Sequence, residues 1–168
     1  GNIESFDKVV IATGGVKLGY EIAESLGHKI IKPVPSLFTF EIANELLDGL
    51  AGISFKDATI ALKTPSKKFR NSGPLLITHW GLSGPAVIVL SSTAARELSE
   101  AKYTTEVIVN FLTGTNTDIF YQRLCNAREV NPTKLIFNSY SDQIPKAFWE
   151  RVLILLKVDR RISLQEVS

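Results

Sequence analysis

The sequence lacks methionine altogether and holds one cysteine and two histidines in 168 residues. The single thiol, Cys125, excludes an intrachain disulfide and a cysteine-cluster metal site. His28 and His79 are too few for a histidine-based metal centre, so no metal is expected. Apolar runs stay far below the roughly 20 residues that cross a bilayer, and neither a membrane partner nor a secretory leader is expected. A strong charge imbalance is also missing: 19 basic residues face 17 acidic ones, for a net charge of +2. The basic residues are scattered, which argues against a dedicated nucleic-acid surface. What is present is a hydrophobic fraction of 45% against 21% charged. That balance describes a globular, soluble, cytoplasmic-type domain long enough to bury a core. The chain opens on Gly1-Asn2, which suggests a processed or cut N-terminus.

Three regions differ in pattern. Val9 to Thr13 is a nearly continuous apolar run ending in Gly14-Gly15, the pattern of a strand buried on both faces. Gly19, Ile22, Ala23 and Leu26 then share one helical face, and Gly27 supplies a stop. Pro33-Val34-Pro35 forces an extended path, after which Leu37 to Phe40 offers a short strand and Asn44 to Leu50 one helical turn. Ala58, Ile60 and Leu62 alternate as one face of a strand, and so do Thr105, Val107, Val109 and Phe111. Asn71-Ser72-Gly73 reads as a hairpin turn between Phe69 and Leu75. A helix is expected at about 85–101, carrying Val87, Leu90, Ala94 and Leu98. In the last third, Thr117 reads as an N-cap, and Asn131-Pro132 as an N-cap followed by a first-turn proline. Pro145 opens a helix with Phe148, Val152 and Leu155 on one face. Ser163 and Glu166 fit a capping box whose helix is barely begun at the chain end. The fold class expected is α+β in several parts. Residues 1–32 form a strand–helix piece of a Rossmann-like domain, 33–113 a small antiparallel β-barrel-like part, and 114–168 a helical bundle.

Two motifs carry chemistry. Thr13, Gly14 and Gly15 end a strand where bare backbone can approach a flat or phosphorylated ligand; an ordinary tight turn explains them as well. Neither G-x-G-x-x-G nor G-x-x-x-x-G-K-[ST] occurs in the sequence. Thr78-His79-Trp80-Gly81-Leu82-Ser83-Gly84-Pro85 runs from a strand into a helix. The helix start attracts anions or carbonyl oxygens, and His79 can donate a proton beside it. A capped helix with a half-buried histidine accounts for Ser83 and Pro85 but leaves His-Trp-Gly unexplained. A serine hydrolase built on Ser83 and His79 is a third reading, and it fails the G-x-S-x-G elbow at Pro85. Cys125 reads as a structural thiol, His28 as a helix-end residue, and Lys157 with Arg160 and Arg161 as a solvated helix end.

These residues resemble a known family. Val9 to Gly15 is similar to the ATGG strand of flavoproteins with two dinucleotide-binding folds. Gly27 to Ile30, Pro33 to Leu37, Leu50 to Ser54 and above all Gly73 to Ala86 resemble, in order, the bacterial branch typified by aminoacetone-oxidase-like and bile-acid-reductase-like proteins. The resemblance implies a Rossmann-like FAD domain split by an insert, and this chain resembles that insert with a short piece of its parent. FAD would be the cofactor, bound mainly by segments outside this chain, with NAD(P)H as a candidate electron donor. The partners implied are the parent's FAD domain and a small-molecule substrate. Thr13, Gly14 and Gly15 would touch the cofactor. His79 would be catalytic, on a turn of Thr78, Trp80, Gly81, Ser83, Gly84 and Pro85 facing substrate and flavin. The short Gly14–Gly19 stretch departs from the longer serine- and glycine-rich loop of many relatives. The alternative is a non-enzymatic interaction module that uses the helical tail.

Overall fold

A computed structural model describes residues 4–64, 67–141 and 143–167. The chain divides into two compact units, Gly1–Pro33 and Val34–Ser168.

In the first unit, α1 spans Lys17–Ser25. It ends as the sequence pattern requires. The Gly27 N–H donates to the Glu24 carbonyl at 2.9 Å and the His28 N–H to the Ala23 carbonyl at 3.1 Å, the two bonds of a Schellman cap. The strand expected at Val9–Thr13 is not formed: those residues are irregular, with Val9 and Val10 74% and 87% exposed. A strand buried on both faces needs hydrogen-bonded neighbours on either side. No described residue of this unit belongs to a sheet.

The second unit is built on a curled, five-stranded antiparallel sheet. Its strands are β1 Phe40–Glu41, β2 Ser54–Lys63, β3 Lys68–Thr78, β4 Gly81–Ser83 and β5 Glu106–Asn110, in the spatial order β1-β4-β3-β2-β5. The period-2 pattern of β2 holds, with Ala58, Ile60 and Leu62 fully buried. On β5, Val107 and Val109 alternate with exposed neighbours but are only half-buried, because β5 lies at the sheet edge. The hairpin expected at Asn71-Ser72-Gly73 is a misreading. Those residues lie inside β3 opposite Ile60, Thr59 and Ala58, beside a register shift between Phe55 and Ala58. The chain reverses instead between Thr64 and Lys67, where the Thr64 N–H donates to the Lys67 carbonyl at 3.1 Å. The strand expected over Leu37–Phe40 shrinks to β1, since Leu37 takes a positive φ of 50°.

The helix expected at about 85–101 is two helices, α2 Pro85–Thr93 and α3 Ala95–Glu100. The break at Ala94 follows two hydroxyls that bond back to their own helix: Ser91 Oγ to Ile88 O at 2.8 Å and Thr93 Oγ1 to Val89 O at 2.6 Å. Such back-bonding bends helices. α2 lays Ala86, Val87 and Leu90 onto the sheet beside Leu75, Ile77 and Leu82, all at most 1% exposed. Each large aliphatic buried there contributes about 1.5–3 kcal/mol.

Among its described residues the last third contains two α-helices, α4 Thr117–Val130 and α5 Lys146–Leu155, together with 3-10 turns at Ile136–Asn138 and Leu164–Glu166. It is therefore less of a bundle than expected. The N-cap of α4 is Asn116, one residue before Thr117, and its side chain accepts the Ile119 N–H at 2.8 Å. Asn131 caps the C-terminus of α4 and starts no helix at Pro132. Pro145 does precede α5, but the buried face is Phe148, Trp149 and Leu153, with Leu155 37% exposed. The Glu166 carboxylate accepts the Ser163 N–H at 2.8 Å, so the capping box forms on a 3-10 turn. Phe55 of β2, Phe111 and Phe148 of α5 meet with ring centroids 4.6–5.0 Å apart, which fastens the helical third to the sheet.

Candidate functional site

The Thr78–Pro85 segment is a hairpin that feeds a helix. β3 and β4 pair as Leu76↔Ser83, Ile77↔Leu82 and Thr78↔Gly81, leaving His79 and Trp80 as a two-residue loop. Sequence reasoning missed β4, because three residues are too short to show a period. The loop backbone is held from three sides. The Trp80 N–H donates to Thr78 Oγ1 at 3.3 Å, and the Trp80 carbonyl accepts the Ile42 N–H at 2.8 Å. Gly81, at φ 142°, lies so close to the neighbouring strand that a Cβ there would meet Ile42 N at 2.5 Å. Only glycine fits that approach.

The helix start is equally constrained. Gly84 is the N-cap of α2 at φ 98°, and a Cβ on it would come 2.9 Å from the Pro74 carbonyl oxygen. Pro85 occupies the first helical position, as expected. It removes one N–H, and the Val87 and Ile88 N–H groups both reach the Gly84 carbonyl at 3.0 Å. The anion-attracting capacity of this helix start is thereby narrowed to few donors. Ser83 is half-buried in β4 and contributes no side-chain cap. Asn71 adds a further tie: its Nδ2 donates to Ala86 O at 3.1 Å. This tie depends on Asn71 lying inside β3 and not in the turn its local sequence predicts.

On this stiff base two side chains project into solvent. Trp80 is 74% exposed, and His79 is exposed beside it. His79 makes no hydrogen bond to Ser83 among the described residues, and the two do not share a helix. An exposed indole on a fixed backbone is a stacking platform for a flat ligand. An adjacent imidazole can donate a hydrogen bond or pass a proton to such a ligand.

Thr13, Gly14 and Gly15 belong to the first unit. Gly14 turns at φ 67°, and no atom lies within 4 Å of a side-chain position on Gly14 or Gly15, so the backbone there is open. A Cβ on Gly19 would meet Thr13 Oγ1 at 2.1 Å, so Thr13 packs directly on α1. Cys125 is a free, half-buried thiol of α4. Lys157, Arg160 and Arg161 lie after α5. Arg161 pairs with Asp159 at 2.9 Å and holds that carboxyl down at about 2, and Arg160 stacks on Phe137 at 4.9 Å. No group of three or more potential metal ligands occurs among the described residues. Nor is any described helix long and apolar enough to cross a membrane.

Comparison with known proteins gives a consistent outcome. The family described as HI0933-like protein barrel and H2TH domain matches residues 34–168. The ribosomal RNA dihydrouridine synthase of Escherichia coli is 31% identical over 173 aligned positions, covering 96% of this chain and 40% of that protein. The protein of the same name from Haemophilus influenzae is 39% identical over 94 positions, 50% of this chain and 22% of the relative. The 3-dehydro-bile acid delta(4,6)-reductase of Clostridium scindens is 26% identical over 155 positions, 88% of this chain and 34% of the relative. The chain thus spans less than half the length of each of these relatives.

Proposed function

This chain belongs to the HI0933-like protein barrel and H2TH domain family, and on that premise we propose that it is the substrate-side domain of a flavin-dependent reductase. The relatives' names support one reaction class. Making a dihydrouridine and reducing a bile-acid delta(4,6) system each add a hydride and a proton across a carbon–carbon double bond conjugated with a carbonyl. The observation in this chain that carries the reading is the His79–Trp80 loop, with its proton donor and flat aromatic surface side by side on an immobilised hairpin.

The backbone that would meet an FAD group in this chain is that of Gly14 and Gly15, where no atom lies within 4 Å of a side-chain position. When bound, the flavin supplies the hydride chemistry. The chain's own residues do the rest. Trp80 stacks on the planar unsaturated carbonyl, and His79 delivers the proton. The test is substitution of His79 by Ala in the full-length protein. Turnover falls while flavin content stays constant; unchanged turnover removes His79 from the reaction.

The substrate has two readings. A small organic molecule follows from the family resemblance. A uridine within ribosomal RNA is favoured by a specific observation: the relative that covers nearly the whole chain at 31% identity bears that name. Dihydropyrimidine content of ribosomal RNA from cells lacking the gene separates the two.

A further inference from the structure

The helical third contains a cavity lined by α4, by Asn131 and Lys134 after it, by Ser139 to Ser141, by Ile144, by Trp149 of α5, and by Leu164. It encloses about 190 Å3. Its apolar floor includes Phe120 and Trp149, whose indole N–H is already bonded to Ile136 O at 2.8 Å. Its rim carries Arg123, Lys134, Asn131 and Tyr140. No acidic residue lines it among the described residues. Arg123 donates to the neutral Gln143 Oε1 at 3.0 Å, and neither Arg123 nor Lys134 forms an ion pair among the described residues. Residues 114–168 hold eight basic and six acidic residues, so the whole net charge of +2 resides in this third.

We propose that this cavity is a binding site for one phosphate-bearing nucleotide of a single-stranded RNA segment, built from elements other than those of the His79–Trp80 loop. Two cations on one lining, neither in an ion pair among the described residues, suit a phosphate diester. Tyr140, 42% exposed, and the aromatic floor offer stacking surface for a base. The volume lies below the roughly 300–1,000 Å3 of sites that enclose a whole drug-sized ligand. It suits one unit of a polymer whose remainder lies outside. The proposal rests on the ribosomal RNA reading of the substrate and adds where the strand is held away from the reacting base.

The test is fluorescence-anisotropy titration of the 168-residue chain with a labelled ten-nucleotide oligouridylate at several salt concentrations. Arg123→Gln, Lys134→Gln and the double variant are compared with wild type, and near-UV circular dichroism checks the fold. The double variant binds more weakly, and its slope of log affinity against log salt is shallower by about 0.7, the value for one phosphate contact on a single strand. Inorganic phosphate at equal concentration does not displace the oligonucleotide. Equal affinity and slope in wild type and double variant overturn the proposal, as does full displacement by phosphate alone. Such a failure leaves the reductase reading standing, because that reading is judged by turnover and not by this titration. RNA binding lost in Trp80→Ala but kept in the double variant assigns RNA to the hairpin loop and overturns this site alone.

Discussion

Gly81 approaches Phe40 so closely that a Cβ on it would lie 2.4 Å from the Phe40 carbonyl oxygen. The two residues are 41 positions apart and belong to β4 and β1, which pair as Phe40↔Leu82 and Glu41↔Gly81. Substituting Gly81 by Ala forces these strands apart and places alanine at φ 142°. The expected cost is at least about 2 kcal/mol, from clash and backbone strain together. Urea unfolding of the two proteins measures it; a loss within about 0.5 kcal/mol contradicts the close contact.

Trp80 behaves in the opposite way. It is 74% exposed and held through its backbone, so Trp80→Ala changes stability by less than about 0.5 kcal/mol. The same substitution in the full-length protein lowers substrate turnover, since it removes the stacking surface and leaves the loop in place. Paired urea and steady-state measurements check both halves.

Trp149 tests the join between α5 and the 3-10 turn at Ile136–Asn138. Its indole N–H bonds the Ile136 carbonyl at 2.8 Å in a buried setting. Trp149→Phe removes this donor while the Ile136 carbonyl keeps the Ser139 N–H at 3.0 Å, so the cost is that of one net hydrogen bond, about 0.5–1.5 kcal/mol. Thermal unfolding followed by circular dichroism reads the loss.

Acid weakens the C-terminal turns in a defined direction. Hydrogen bonds from Arg161 hold the Asp159 carboxyl down at about 2 from its ordinary 3.8, and bonds from Ser163 lower Glu166. A lowered folded-state pKa adds stability that is complete above the unfolded value and lost as pH falls toward the folded one. Stability therefore declines from about pH 4 downward, and Glu166→Gln removes part of that decline. Denaturant midpoints from pH 6 to pH 2 show whether the two curves converge in acid.

Flavin retention tests the reading of the chain as one part of a larger site. The Thr13–Gly15 backbone offers open contact, but no dinucleotide fingerprint accompanies it. The purified 168-residue chain binds FAD weakly or not at all. A yellow preparation with stoichiometric flavin contradicts this.

Local patterns that match one element were legible in the sequence. Ala58, Ile60 and Leu62 marked β2, Gly27 ended α1 and Asn44 opened a 3-10 turn. Where several elements decide, the reading failed. Asn71-Ser72-Gly73 carries turn residues, but pairing with Ala58–Ile60 draws it into a strand. Val9–Thr13 has the composition of a buried strand and finds no sheet in its own unit. His79 and Trp80 stood out because helix capping could not explain them. The Ile42 and Phe40 contacts that immobilise them left no local signal, since they join segments some forty residues apart.

Anaerobic reoxidation decides whether the flavin passes its hydride to a conjugated double bond. The full-length protein is reduced with NADPH and mixed with a uridine-containing RNA or with a small conjugated enone, and the return of oxidised flavin absorbance is timed. Reoxidation by one of these double bonds is expected, slowed about 100-fold or more by His79→Ala at constant flavin content. Reduced flavin that neither substrate reoxidises, or a His79→Ala protein as fast as wild type, would contradict it.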